Sequence, residues 1–197
     1  MKLDIILSGV GGQGILSIAA IIGEAALKEG LHIKQAEVHG MSQRGGDVQS
    51  NLRISSTEIY SDLIAQGSAD AIISLEPMEA LRYLPYLSQQ GWIVTNSTPY
   101  INIPNYPDME GITSELKTFP NVILLDIDTL AKDGGIARAA NMVLLGAASV
   151  ILGMDYDKLE GAISNIFMRK GESVVEMNKK ALSIGRKAGE EQLKNKK

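Results

Sequence analysis

The sequence contains no cysteine, which excludes disulfides, Cys-ligated zinc and any iron–sulfur cluster held by this chain. Histidine is nearly as scarce: only His32 and His39 are present, too few for an imidazole-rich metal centre. A surplus of basic charge is also missing, since 19 Lys and Arg stand against 23 Asp and Glu for a net charge of −4. Nucleic acid is therefore not an expected partner, because phosphate-backbone binding needs a basic excess. No apolar run reaches the length of a membrane span. The longest, Met142 to Met154, falls well short of the roughly 20 residues a bilayer requires. The opening Met1-Lys2-Leu3-Asp4 places an acid where a signal peptide carries apolar residues. These absences predict a cytoplasmic globular chain with no membrane partner. What is present is a 45% apolar composition over 197 residues, enough for one well-cored domain across residues 1–188. The charged stretch 189–197 is expected to fray.

The apolar periodicity predicts an α/β fold. Leu3 to Leu7 is a short buried-strand run, Ile15 to Glu29 a helix, and Leu31 to Val38 a second strand, together a βαβ unit. Asp47 to Ile54 and Glu58 to Tyr60 read as an antiparallel hairpin around Ser55-Ser56-Thr57. Ala71 to Leu75, Trp92 to Thr95 and Val122 to Asp126 are further strands, with a helix from Pro77 to about Leu87, where Pro77 suits a first turn. Residues 97–111 hold Pro99, Pro104 and Pro107 and read as a long irregular excursion. Helices over Asn141–Leu152, Tyr156–Phe167 and Glu172–Gln192 complete the chain. The expected architecture is a Rossmann-like, mostly parallel sheet with an antiparallel hairpin added, helices on both faces and a helical C-terminal third.

Gly9-Val10-Gly11-Gly12-Gln13-Gly14 satisfies G-x-G-x-x-G between a predicted strand and a predicted helix, the context in which the pattern carries meaning. Glycines let backbone N–H groups approach a phosphate, and the N-terminus of the following helix favours an anion. Glu37 stands roughly where a dinucleotide-binding domain has its ribose-binding acid. Ile15 occupies the place of the P-loop lysine, so triphosphate chemistry of that type is not supported. The same glycines would also serve close packing of helix on sheet without any ligand.

Gly45 and Gly46 close a second donor-rich cluster, His39-Gly40-Met41-Ser42-Gln43-Arg44-Gly45-Gly46, after the second strand. Ser42, Gln43 and Arg44 offer a hydroxyl, an amide and a guanidinium, suited to a carboxylate or phosphate. Both loops follow parallel strands, so both should emerge at the carboxyl edge of the sheet and form one site. Alternatively Arg44 pairs with an acid at a subunit contact. Asn141 reads as a helix N-cap, and the apolar helix it opens as partly buried, partly a docking face for another subunit. Asp126, Asp128 and Asp133 are read as caps and first-turn acids ahead of magnesium ligands. Tyr100 and Tyr106 are candidate interface anchors.

These motifs resemble one family. Gly9-Val10-Gly11-Gly12-Gln13-Gly14, Gln43-Arg44-Gly45-Gly46 and Leu52-Arg53-Ile54-Ser55 are similar to the gamma-type subunit of 2-oxoacid:ferredoxin oxidoreductases. Asn141-Met142-Val143-Leu144-Leu145-Gly146, Lys170-Gly171, Asn178 and Ala181 extend the resemblance over nearly the whole chain. Glu37-Val38-His39-Gly40-Met41-Ser42 resembles the small (beta) subunit of the indolepyruvate branch. The resemblance implies oxidative decarboxylation of a 2-oxoacid to an acyl-coenzyme A with ferredoxin as electron acceptor. It further implies a large partner subunit carrying thiamine diphosphate, magnesium and 4Fe–4S clusters, and a small subunit that is inert alone. The residues agree: there is no cysteine to ligate a cluster and no Gly-Asp-Gly to hold magnesium diphosphate. Within the resemblance, the two glycine-containing loops would receive coenzyme A, and no residue of this chain is expected to be catalytic. Two other readings stay open: a free-standing nicotinamide-dependent oxidoreductase resting on the glycine loop and Glu37, and a non-catalytic scaffold subunit. Against the first of these, no Tyr-x-x-x-Lys pair or His–acid dyad is evident.

Overall fold

The computed structural model describes residues 1–39 and 45–196. Their core is a sheet of β1 (Lys2–Val10), β2 (His32–His39), β3 (Asp47–Ser55), β4 (Ala69–Ser74), β5 (Leu87–Asn96) and β6 (Val122–Leu125), in the order β2-β3-β1-β4-β5-β6. β1, β4, β5 and β6 are parallel neighbours, whereas β3 runs antiparallel to both β1 and β2. β1 and β2 consequently point the same way and end at the same edge, with Val10 opposite Asp47 and His39 opposite Val48.

The antiparallel addition differs from the expected hairpin. β3 has β2 on one side and β1 on the other, so no edge remains for Glu58–Tyr60 to pair with. That segment is irregular: the Ser55 hydroxyl caps the Thr57 N–H at 3.0 Å, and Arg53 donates to the Ser61 and Leu63 carbonyls, both at 3.1 Å. The same insertion moves β2 one strand away from β1, so the opening β-α-β unit is split.

Helices cover both faces. α1 (Ile15–Lys28) buries Ile15, Ile18, Ala19, Ile22 and Ala26, the i, i+3, i+4, i+7 spacing of one helical face. It shares its face with α4 (Ile127–Asp133), α5 (Ala140–Ala148), α6 (Tyr156–Phe167) and α7 (Glu172–Lys194), against Ile5, Leu7, Ile73 and Val94 of the sheet. α2 (Pro77–Arg82) and α3 (Met109–Lys117) cover the other face against Ile6, Ile72 and Ile93. Alternate strand residues thus serve the two cores, each fully buried isoleucine contributing about 1.5–3 kcal/mol. α2 is shorter than expected because Pro85 disfavours a helical Leu84, and a 3₁₀ turn, Leu84–Tyr86, takes over.

α5 is enclosed by this chain alone. Met142 to Ala148 are all buried, and α7 lies so close that a methyl group on Gly146 or Gly185 would overlap the Leu182 or Val143 carbonyl respectively. The expected docking face on α5 is therefore covered internally. α7 continues to Lys194, and the Gln192 amide accepts from the Leu124 N–H at 2.9 Å and donates to the Leu124 carbonyl at 2.6 Å, occupying the exposed edge of β6. No helix among the described residues is long and apolar enough to cross a membrane.

Candidate functional site at the carboxyl edge of the sheet

From β1 the chain crosses to one side through α1, and from β4 to the other through α2. The topology therefore reverses between β1 and β4, where open α/β sheets form a ligand crevice at the carboxyl ends of their strands. Gln13 sits at this point. Its Oε1 accepts the Val10 N–H at 2.7 Å and its Nε2 donates to the Leu75 carbonyl at 3.3 Å, tying the end of β1 to the residue after β4.

Gly14 begins α1 as a left-handed N-cap at φ 91°, with no side-chain cap and no acid in the first turn. The Ser17 N–H of the first turn donates to the Gly14 carbonyl at 3.1 Å, and the positive end of the α1 dipole faces the glycine turn. A side chain on Gly14 would strain the backbone and place a Cβ 2.6 Å from Asn141 Nδ2. Asn141 is not the cap of α5, a place held by Ala139. It lies within the first turn, where its Oδ1 accepts the Met142 N–H at 3.0 Å and its Nδ2 donates to the Gly14 carbonyl at 3.2 Å. The Gly14 carbonyl also accepts the Ser17 N–H of α1 at 3.1 Å, so Asn141 is its second donor and ties α5 to the start of α1.

The second loop meets the first through backbone. Gly11 donates to the Gly46 carbonyl at 2.8 Å, and Gly45 donates to the Gly11 carbonyl at 3.4 Å. The structure therefore brings together Gly9, at the end of β1, the turn Gly11-Gly12-Gln13-Gly14, and Gly45-Gly46. Ser42, Gln43 and Arg44 lie outside the described residues. A cleft of 340 Å³ opens here, lined by Val10, Gly11, Gly12, Gly14, Ile15, Leu16, Val48 and the carboxylate-bearing Glu37. A more polar cleft of 280 Å³ begins at Gln13 and runs past Asn96, Thr98, Asp128 and Arg138 to Asn141.

Charge beside the site is fixed by local bonds. Asp126 caps α4 through the Thr129 N–H at 2.9 Å; that amide foremost, with the Thr129 and Thr98 hydroxyls, holds its carboxyl below the usual range. Asp128 accepts from the Asn96 amide at 2.8 Å. Glu79 is buried, which pushes its carboxyl upward, while its ion pair with Arg82 at 2.7 Å opposes the rise.

Sequence reasoning missed Glu76. It is 1% exposed and caps α2 by accepting the Glu79 N–H at 2.8 Å. Its other oxygen accepts the Tyr100 N–H at 3.4 Å and the Tyr106 hydroxyl. An acid directly before a helix-opening proline was the available signal for the cap, but not for the tyrosines.

Comparison with known proteins places this geometry. The family model for pyruvate ferredoxin/flavodoxin oxidoreductase matches residues 4–188. The indolepyruvate oxidoreductase subunit IorB of Archaeoglobus fulgidus is 37% identical over 194 residues, covering 94% of this chain and 94% of that protein. The gamma subunit of a keto/oxoacid ferredoxin oxidoreductase from Geobacter sulfurreducens superposes with a TM-score of 0.68 at 26% identity, over 96% of this chain and 99% of that one. The 2-oxoglutarate:ferredoxin oxidoreductase of Magnetococcus marinus, solved with 2-oxoglutarate, coenzyme A and succinyl-CoA bound, shares the fold with a TM-score of 0.76 at 23% identity. The alignment covers 96% of this chain but 31% of that longer one. With a relative of matching length and a family model spanning both loops and the helices behind them, the chain belongs to the pyruvate ferredoxin/flavodoxin oxidoreductase family, as a small, gamma-type subunit of the 2-oxoacid:ferredoxin oxidoreductases.

Proposed function

We propose that this chain completes an assembly that oxidatively decarboxylates an arylpyruvate of the indolepyruvate type, releasing carbon dioxide, forming an acyl-coenzyme A and passing two electrons to ferredoxin. The arylpyruvate follows from the matching relative's name, and the reaction class from the family. Thiamine diphosphate, magnesium and the iron–sulfur clusters belong to a large partner in this reading. This chain does not fit them: it has no cysteine, and among the described residues no group of three His, Cys, Asp or Glu is placed to hold a metal.

Coenzyme A is the ligand that fits the carboxyl edge. The observation that carries this is the two-way backbone pairing of Gly11 with Gly45 and Gly46, which sets the second loop beside the uncapped N-terminus of α1. Backbone amides of the glycine turn and the α1 dipole would take the phosphates, with Ser42, Gln43 and Arg44 as side-chain donors. The apolar wall of Ile15, Leu16 and Val48 would exclude water beside them. The chain's work is then to bind and orient the acyl acceptor, and the chemistry falls to its partner. Replacing Arg44 with Ala in the assembled enzyme tests this: the apparent KM for coenzyme A should rise while the KM for the 2-oxoacid stays fixed. An unchanged coenzyme A dependence would remove the second loop from acceptor binding.

One observation favours a dinucleotide instead, since Glu37 lines the cleft beside Gly11 and Gly12. One weighs against it. β3 displaces Glu37 by a strand spacing, about 5 Å, from its place beside β1 in a dinucleotide-binding domain. Tight binding of NAD by the isolated chain would revive this reading.

A further inference from the structure

Residues 97–108, between the end of β5 at Asn96 and the Asp108 cap of α3, contain three prolines and no regular element, yet they are tied at every stage. The Thr98 hydroxyl donates to Asp126 at 3.1 Å, the Tyr100 N–H to Glu76 at 3.4 Å, and the Tyr106 hydroxyl to the same Glu76 oxygen. Between the two tyrosines, the Asn102 side-chain amide donates to the Gly45 carbonyl at 2.5 Å. Gly45 in turn donates to Gly11, and its neighbour Gly46 accepts from Gly11. Hydrogen bonds at Tyr100, Asn102 and Tyr106 thus link a buried carboxylate, through the backbone of the proline-rich segment, to the glycine turn.

We propose that this segment is a strap, anchored on Glu76 by Tyr100 and Tyr106, and that Asn102 is a positioning residue which holds the Gly45–Gly46 arm against Gly11. Asn102 is exposed and contributes no core packing, and its side-chain bond reaches a residue 57 positions away. Glu76 is suited to the anchor because its carboxylate caps α2 and meets only donors there, so the strap's attachment is fixed to a helix terminus rather than to another loop. Three prolines restrict the strap's alternatives, which lowers the entropy lost in holding Asn102 at Gly45. Its effect on coenzyme A rests on the acceptor-site reading above; its effect on the two loops does not.

The test uses the assembled enzyme and two readouts. Hydrogen exchange is followed in peptides covering residues 9–16 and 45–52, and the KM for coenzyme A is measured beside kcat. Asn102→Ala should speed exchange in both peptides roughly fivefold, the consequence of losing one hydrogen bond, with residues 172–194 unchanged. The KM for coenzyme A should rise by a similar factor at unchanged kcat. Tyr106→Phe should act alike from the other end of the strap, and Asn102→Gln, which still carries a donor amide, should restore part of the protection. Faster exchange with an unaltered KM would keep the strap and remove acceptor binding from these loops. Unaltered exchange in Asn102→Ala and Tyr106→Phe would overturn the strap, whatever happens to KM.

Discussion

The Asn141 side chain donates to the Gly14 carbonyl at 3.2 Å, joining the first turn of α5 to the left-handed residue that opens α1. The bond crosses 127 positions of sequence and leaves no room for a Cβ at Gly14. Gly14→Ala therefore meets two separate penalties, a φ of 91° and the Asn141 amide. The substitution should destabilise the chain by about 2–4 kcal/mol, seen as a lower urea midpoint at unchanged slope. Adding Asn141→Ala should recover part of that loss, because it removes the overlap but not the backbone strain. A double variant no more stable than Gly14→Ala alone would show that the two residues do not touch.

Gln13 serves both strands of the switch point, so its loss leaves a donor on Val10 and an acceptor on Leu75 unmatched. Gln13→Ala should cost about 1–3 kcal/mol in denaturant unfolding. Gln13→Glu keeps the acceptor for Val10 but places a negative charge at the glycine turn. In the assembled enzyme it should weaken coenzyme A more than Gln13→Ala does, with the difference shrinking at high salt.

The contact of α5 with α7 is made at glycine. Gly185→Ala would drive a methyl group into the Val143 carbonyl, and neither helix can retreat because both are packed into the main core. Destabilisation of about 3 kcal/mol or more is expected. It should exceed the effect of Ala at Gly161 in the middle of α6, where a Cβ would meet only the end of the flexible Lys28 side chain. Thermal or urea unfolding of the two variants side by side checks it.

Asp126 gives a pH signature. Its carboxyl is held below the ordinary value of 3.8 by the Thr129 amide and the two threonine hydroxyls. A depressed acid contributes stability that is present above about pH 4 and is lost as pH falls through the folded-state value. Asp126→Asn retains a capping side chain without the charge. The wild type should therefore exceed this variant modestly at pH 7, since the site is exposed to solvent, and the difference should vanish on acidification. A difference constant from pH 7 to pH 3 would contradict the assignment.

Local signals in the sequence were sufficient for much of this fold. The glycine loop, the α1 periodicity and α6 from Tyr156 to Phe167 depend on neighbours within a few residues, and the structure has them where the pattern places them. The errors concern partners far away in sequence. Nothing near Asp47–Ser55 indicates that β3 will be flanked on both sides, which is what denies Glu58–Tyr60 a pairing edge. α3 leaves no helical signature in the pattern, because only Ile112 and Leu116 of its nine residues are buried, too thin a stripe beside the proline-rich segment to register. Nothing in the charged stretch around Gln192 indicates that its side chain will meet the open edge of β6. At the site, the glycines were legible as a motif, whereas Asn141, Glu76 and Asn102 act through contacts that only the folded chain creates.

As a small subunit of the 2-oxoacid:ferredoxin oxidoreductases, this chain is expected to work within a larger redox assembly. The most direct measurement is to tag it in its source cell, isolate it gently without oxygen, and record the co-purifying proteins, the visible spectrum and the reduction of ferredoxin by an arylpyruvate with coenzyme A. A brown complex containing a large, cysteine-rich partner is expected, with reduction that requires both substrates. A colourless chain recovered alone, binding NAD tightly and supporting no coenzyme A-dependent reduction when the partner is supplied, would contradict that role.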